Sequence, residues 1–206
     1  MVFPQTNTPH LKWGLIRNNM EEIVFDSKWI KVKQTPRGHF FSERRGTNSI
    51  ALLLYRKIKE NGFEWLEVLV RLQALPIDNA QSNDDKEIPK LFRCPITGRL
   101  DDSVGERINQ VRAEAREEGG YDIPEAGFQY IGEYYVGTQT NEKVFMYVAD
   151  TTIEGTEIIE AKGDGSYFEE ISKNEWVSVQ QLLDTEYSGL NILANKLDRM
   201  FQCGVI

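Results

Sequence analysis

The sequence predicts a mixed α/β or α+β fold, and three observations carry that reading. Runs of β-branched and aromatic residues, separated by turn signals, dominate the first hundred residues. Between 106 and 118 the apolar spacing changes to three and four residues, and strand-like runs then return before a helical C-terminal stretch. With 206 residues, 40% hydrophobic and 11% aromatic, the chain can bury a full core, which excludes wholesale disorder. Its length suits one generous domain or a domain with an added lobe.

Element by element, residues 22–34 (EIVFDSKWIKVKQ) read as strand, residues 35–38 (TPRG) as a turn, and residues 39–44 as its returning hairpin partner. Residues 49–58 and 63–72 are two more strands joined through Asn61-Gly62, a hairpin signal. Residues 76–90 hold breakers without periodicity and are expected to be a polar loop. Residues 91–96 are a short apolar run suited to a buried strand. From 106 to 118, Ile108, Val111 and Ala115 form one stripe of a helix that Gly119-Gly120 stops. Residues 128–136 and 143–149 are strands. Residues 151–167 are expected to be a mobile insertion or an irregular hairpin. Ser178 to Gln181 has the form of a capping box opening a short helix, and residues 191–201 form a terminal one.

Composition narrows the function classes. No apolar run reaches the roughly 18 residues that span a bilayer, and the N-terminus lacks the charged and apolar regions of an export signal. Two cysteines, Cys94 and Cys203, are too few for a disulfide scaffold and too isolated for a zinc site, so a cytoplasmic protein is expected. The charge is uneven. Residues 1–100 carry 16 basic and 11 acidic side chains, whereas residues 101–206 carry 8 and 21. The net charge of -8 argues against general nucleic-acid binding, although a local basic patch can hold a phosphate.

Chemistry concentrates in residues 98–121 (GRLDDSVGERINQVRAEAREEGGY). Glu114, Glu117 and Glu118 stand at i, i+3 and i+4, on one side of the helix and beside the Ile108/Val111/Ala115 stripe. The spacing alone fits an acidic solvated face, common in an acidic protein. It equally fits a hard divalent cation, Mg²⁺ or Mn²⁺, neutralising three like charges at the margin of a core.

The upstream glycine loop and the closing glycines make this stretch resemble the Nudix hydrolase signature, G-x5-E-x7-R-E-U-x-E-E-x-G-U. Glu114 matches the first helix Glu, Ala115 the aliphatic position, Glu117-Glu118 the pair, Gly120 the closing Gly and Tyr121 the last position. The upstream half departs. Ala113 stands in place of the Arg, Gly105 in place of the upstream Glu with Glu106 one residue late, and Gly98 is one residue early. Arg112 or Arg116 is a candidate substitute for the missing Arg. Within the family the chain is most similar to the ADP-ribose pyrophosphatase group, through an N-terminal strand stretch, Arg45-Gly46 before a core strand, and residues 70–76 (VRLQALP) against V-R-Q-Y-R-x-P.

That resemblance implies a Nudix α/β/α sandwich with a mixed sheet over residues 47–206 and an N-terminal antiparallel strand lobe over 1–46. It implies that Glu114, Glu117 and Glu118, with the backbone carbonyl of Thr97, hold Mg²⁺ or Mn²⁺. A general base would come from an acidic loop, with Glu169 and Glu170 favoured over Glu154, Glu157 and Glu160, and Arg45 and Arg71 would bind phosphate or the terminal ribose. The implied reaction is hydrolysis of a nucleoside diphosphate derivative, ADP-ribose to AMP and ribose 5-phosphate, by a homodimer. A Nudix hydrolase for NADH, a nucleotide sugar or an NTP, and a Nudix-like binding module, are the alternatives. Trp13, Trp29, Trp65 and Trp176 read as core or interface residues, and His10 and His39 have no catalytic companion nearby.

Overall fold

The structure, a computed structural model, describes residues 21–28, 30–44, 48–74, 90–100, 107–162, 171–185 and 187–206. Its strands are β1 (Glu22–Asp26), β2 (Ile30–Gln34), β3 (Phe40–Arg44), β4 (Asn48–Glu60), β5 (Phe63–Ala74), β6 (Leu91–Cys94), β7 (Ile96–Leu100), β8 (Tyr121–Asp122), β9 (Phe128–Tyr135), β10 (Lys143–Asp150), β11 (Glu157–Ile158) and β12 (Lys173–Ser178). The helices are α1 (Arg107–Glu117) and α2 (Ser188–Gln202).

The central sheet has seven strands, in the order β12-β5-β4-β10-β9, with β6 against β5 and β7 against β4. Asn61 (φ 51°) and Gly62 (φ 82°) turn β4 into β5 through the left-handed region, as the Asn-Gly pair predicts. The two strands pair from that turn only as far as Leu54 opposite Leu69, and then part. β6 takes up the edge of β5 from Arg71 to Ala74, and β7 takes up β4 from Asn48 to Leu52. Pro95, without an N–H to give a ladder, lies between them. The expected single strand over 91–96 is therefore two strands, and Gly98, read from sequence as the start of a loop, lies inside β7.

β4 is apolar on both faces, and both faces are covered. Ile50, Leu52 and Leu54 join Leu69, Ile96 and Phe145 under Val111 and Ala115 of α1. Ala51 and Leu53 join Val68, Val70 and Met146 under Leu190, Leu193, Ala194 and Leu197 of α2, whose spacing is one helical stripe. β10 runs parallel to β4, so the sheet is mixed. The result is the expected α/β/α sandwich.

β1, β2 and β3 form a separate antiparallel sheet. The single strand expected over 22–34 is a hairpin instead. Ser27 turns it by donating its amide and hydroxyl to the Ile30 carbonyl and accepting the Ile30 amide on Oγ. This lobe is tied to the core by Ser42, which bonds Gln139 and Asn141 through its backbone, and by Glu142. The Glu142 carboxylate, 7% exposed, accepts from Arg44 Nη1 at 3.0 and 3.1 Å and from Ser49 Oγ at 2.7 Å.

Three further expectations change. Ser178 makes no side-chain cap, and the following turn is a 3₁₀ helix over Val179–Leu182. The terminal helix starts at Ser188, three residues before the expected position. Of the expected insertion, residues 151–162 are ordered against the core. β11 pairs β8, and the amides of Ile159 and Lys162 bond the carbonyls of Gly120 and Glu117 at 2.9 and 3.0 Å. The expected loop at 76–89 and residues 163–167 lie outside the described residues.

Candidate functional site

α1 packs on β7 and β4, and Glu114, Glu117 and the following Glu118 each meet a different setting. Glu114 lies directly on β7. A Cβ built on Gly98 would stand 2.1 Å from Glu114 Oε1 and 2.5 Å from its Cδ, so only glycine leaves room for the carboxylate against the strand. Gln110, one turn earlier, donates to the same oxygen at 2.7 Å. The neighbouring Thr97 sits opposite Ala51 in β7, one residue from the carboxylate's seat.

Glu118 follows the last helical residue. Its amide still bonds the Glu114 carbonyl at 2.9 Å, and Gly120, at φ +76°, then turns the chain away. The Glu118 side chain faces Arg71 of β5, with Nε 3.8 Å from Oε2, and the two side chains are 6% and 13% exposed. That distance is an ion pair and not a hydrogen bond. Arg71 Nη1 also lies 3.4 Å from the Glu118 carbonyl oxygen, which Asn174 of β12 reaches at 2.7 Å. Arg71, expected at a phosphate or ribose, is thus a buried residue beside the end of α1.

Glu117 lines an open groove of about 840 Å³ on the outer side of the helix. Arg112, Ala113, Arg116, Glu160 and Lys162 share that groove. Arg112 and Arg116, the candidates for the missing motif arginine, line this groove beside Glu117 and are each paired with another acid. Arg116 pairs with Asp122 at 3.3 Å, and Arg112 approaches Glu125 at 4.0 Å. Of the candidate bases, Glu160 enters this groove, Glu154 and Glu157 are exposed, and Glu169 and Glu170 lie outside the described residues, as does Arg45.

Carboxylates and a strand carbonyl are the donors that Mg²⁺ or Mn²⁺ prefers, and Gly98 leaves the room in which the Glu114 carboxylate lies against β7. As they stand, the three carboxylates point to different neighbours. Among the described residues, no three His, Cys, Asp or Glu side chains converge closely enough to hold a metal.

Beyond the end of α1 the same face of the sheet carries Trp176, with Arg56 stacked at 4.3 Å and Tyr121 edge-on at 6.1 Å. Two residues here escaped the sequence reading. Gln110 could have been found from its i, i+4 relation to Glu114. Asn174, 56 residues from its partner, carries no local signal. Cys94, opposite Arg71 in β6, has its thiol pushed up to about 11 by burial.

No family model and no curated protein matches the chain. Solved structures do. An ADP compounds hydrolase is 15% identical, with a TM-score of 0.57, over 90% of this chain and 93% of its own. A mutT/nudix family protein from Listeria innocua is 13% identical, with a TM-score of 0.47, over 77% and 96%. The NUDIX domain of Shewanella oneidensis NrtR, complexed with ADP ribose, is 9% identical, with a TM-score of 0.44, over 79% and 90%.

Proposed function

The chain has the Nudix fold, and on that premise we propose that it is a Mg²⁺-dependent pyrophosphohydrolase acting on a nucleoside diphosphate derivative, ADP-ribose first among them. The observation that carries the reading is the Glu114 carboxylate seated on the bare Cα of Gly98, with Glu117 and Glu118 on the next turn. A glycine spared for a carboxylate is hard to explain as solvated surface. The fold shared with an ADP compounds hydrolase supports the substrate class.

Glu114, Glu117 and Glu118, with the Thr97 carbonyl, would hold the divalent ion. Once bound, that ion would polarise the diphosphate and lower the pKa of an attacking water. The chain's own residues do the rest. Gln110 fixes the Glu114 rotamer from one turn away, and the charge on Arg71 compensates that of Glu118. Arg112, Arg116 and Lys162 supply positive charge beside Glu117, where the phosphates would lie. Glu160, Glu169 and Glu170 are the carboxylates that could take the proton from water. Hydrolysis breaks one P–O bond of the pyrophosphate, adds the water oxygen to that phosphorus, and releases AMP and ribose 5-phosphate.

We also propose a homodimer formed through the N-terminal lobe. Phe25 and Phe40, each about half exposed, stand on the same face of the three-stranded sheet, Phe25 opposite Val32 and Phe40 opposite Gln34, an apolar patch that a second copy would cover. Sedimentation equilibrium should give twice the chain mass, and Phe25→Asp should halve it. A wild-type monomer refutes the dimer.

The function is tested by incubating the protein with Mg²⁺ and a panel of ADP-ribose, NADH, UDP-sugars and dNTPs, then resolving the products. AMP and ribose 5-phosphate are expected from ADP-ribose. Glu118→Gln should lower turnover by several orders of magnitude in a folded protein. Inactivity on the whole panel, with tight binding of one member, would instead establish a binding module.

A further inference from the structure

We propose that Arg71 and Asn174 are positioning residues for Glu118, holding it from the sheet; this rests on the hydrolase reading above. The place of an arginine in the turn before Glu114 is taken by Ala113, whose side lines the outer groove. The two arginines on either side of it are directed at Glu125 and Asp122.

Glu118 has particular need of a hold. It stands past the last helical residue and is followed by Gly119 and by Gly120 in the left-handed region, so its own backbone is a pivot. Its carboxylate also sits at the negative end of the helix dipole, which adds to the cost of leaving its charge uncompensated. Both difficulties are met by two adjacent strands. Arg71 lies opposite Asn174 in the β5–β12 ladder, and the pair reaches one residue together. Asn174 Nδ2 donates to the Glu118 carbonyl at 2.7 Å and to that of Gly119 at 3.4 Å, fixing the backbone. Arg71 Nη1 approaches the same carbonyl at 3.4 Å, and its Nε faces the carboxylate at 3.8 Å, orienting the side chain.

Burial makes this pairing directional. Arg71 is 5% exposed, so its guanidinium plane is held by the surrounding sheet and its charge is little screened. Because it is enclosed at the root of the helix, Arg71 acts on the reaction through Glu118 and not by touching the substrate. Loss of a residue that orients a ligand costs about 10- to 100-fold in metal affinity or activity.

Three variants test this: Arg71→Met, Arg71→Lys and Asn174→Ala, each measured for kcat and KM on ADP-ribose, for melting temperature, and for Mn²⁺ affinity by electron paramagnetic resonance. Arg71→Met should lower kcat about 100-fold and Mn²⁺ affinity about 10-fold with KM little changed, and Arg71→Lys should recover part of both. Asn174→Ala, at an exposed position, should show a smaller loss of the same kind without a change in melting temperature. A folded Arg71→Met with wild-type kcat and Mn²⁺ affinity overturns the proposal, as does a loss confined to KM, which would make Arg71 a substrate contact. If Arg71→Met does not fold, Asn174→Ala with wild-type kcat and Mn²⁺ affinity overturns it. A wild-type protein that neither hydrolyses the panel nor binds Mn²⁺ refutes the hydrolase reading and the inference together, whereas an active wild type with silent variants refutes the inference alone.

Discussion

Gly98→Ala separates the chemistry of this site from its folding. Gly98 has no positive φ, so alanine meets no backbone strain in β7. What it meets is Glu114, with Oε1 2.1 Å and Cδ 2.5 Å from the new Cβ. Ordinary contact begins near 3.5 Å, so the carboxylate must retreat by more than about 1 Å. A displacement of that size at a reacting centre costs about 100-fold, close to 2.7 kcal/mol of barrier. Stability should hardly move. The Gln110–Glu114 hydrogen bond lost on retreat is worth about 1 kcal/mol, and replacing glycine by alanine restricts the unfolded chain by about 0.4–1 kcal/mol in the opposite direction. The assay is ADP-ribose turnover with Mg²⁺ beside thermal unfolding. A drop in kcat of about 100-fold, with the melting temperature within about 3 °C, is expected. Wild-type turnover would refute a role for the Glu114 seat. Inactivation in step with unfolding would show that the glycine serves packing alone.

The remaining predictions concern the fold around the site. Glu142→Ala removes the buried acceptor of Arg44 and Ser49, and should destabilise the protein by about 2 kcal/mol while exposing the N-terminal lobe to proteolysis; an unchanged cleavage pattern refutes the latch. Because burial holds the Cys94 thiol near pKa 11, it stays protonated at pH 8, while Cys203 is exposed. A thiol reagent should label one cysteine per native chain and two after denaturation, and two fast native equivalents would contradict the burial.

Strand positions were legible in the sequence where one signal sufficed. The Asn61-Gly62 turn, the apolar run of β4 and the 3–4 stripe of α1 are local patterns, set by backbone preference and side-chain periodicity. The helix glutamates were legible as neighbours on one turn, but their settings were not: Glu114 rests on β7, Glu117 lines the groove and Glu118 faces Arg71. The boundaries that failed depend on pairing. Residues 22–34 became a hairpin because Ser27 satisfies the backbone at the bend, and residues 91–100 became two strands because β4 and β5 part to receive them.

By itself, then, the sequence determined a mixed α/β chain with a carboxylate-rich helix, and the residue types that point to a hard cation and a diphosphate. Only the tertiary structure decided what each of those residues does. It moved Gly98 from a loop into a strand beneath Glu114, laid Arg71 beside Glu118 at the end of α1, and brought in Asn174 from 56 residues away. The physical reason is that propensity and periodicity act over a few residues, whereas the partner of a buried charge is chosen by whichever strand the sheet topology lays beside it.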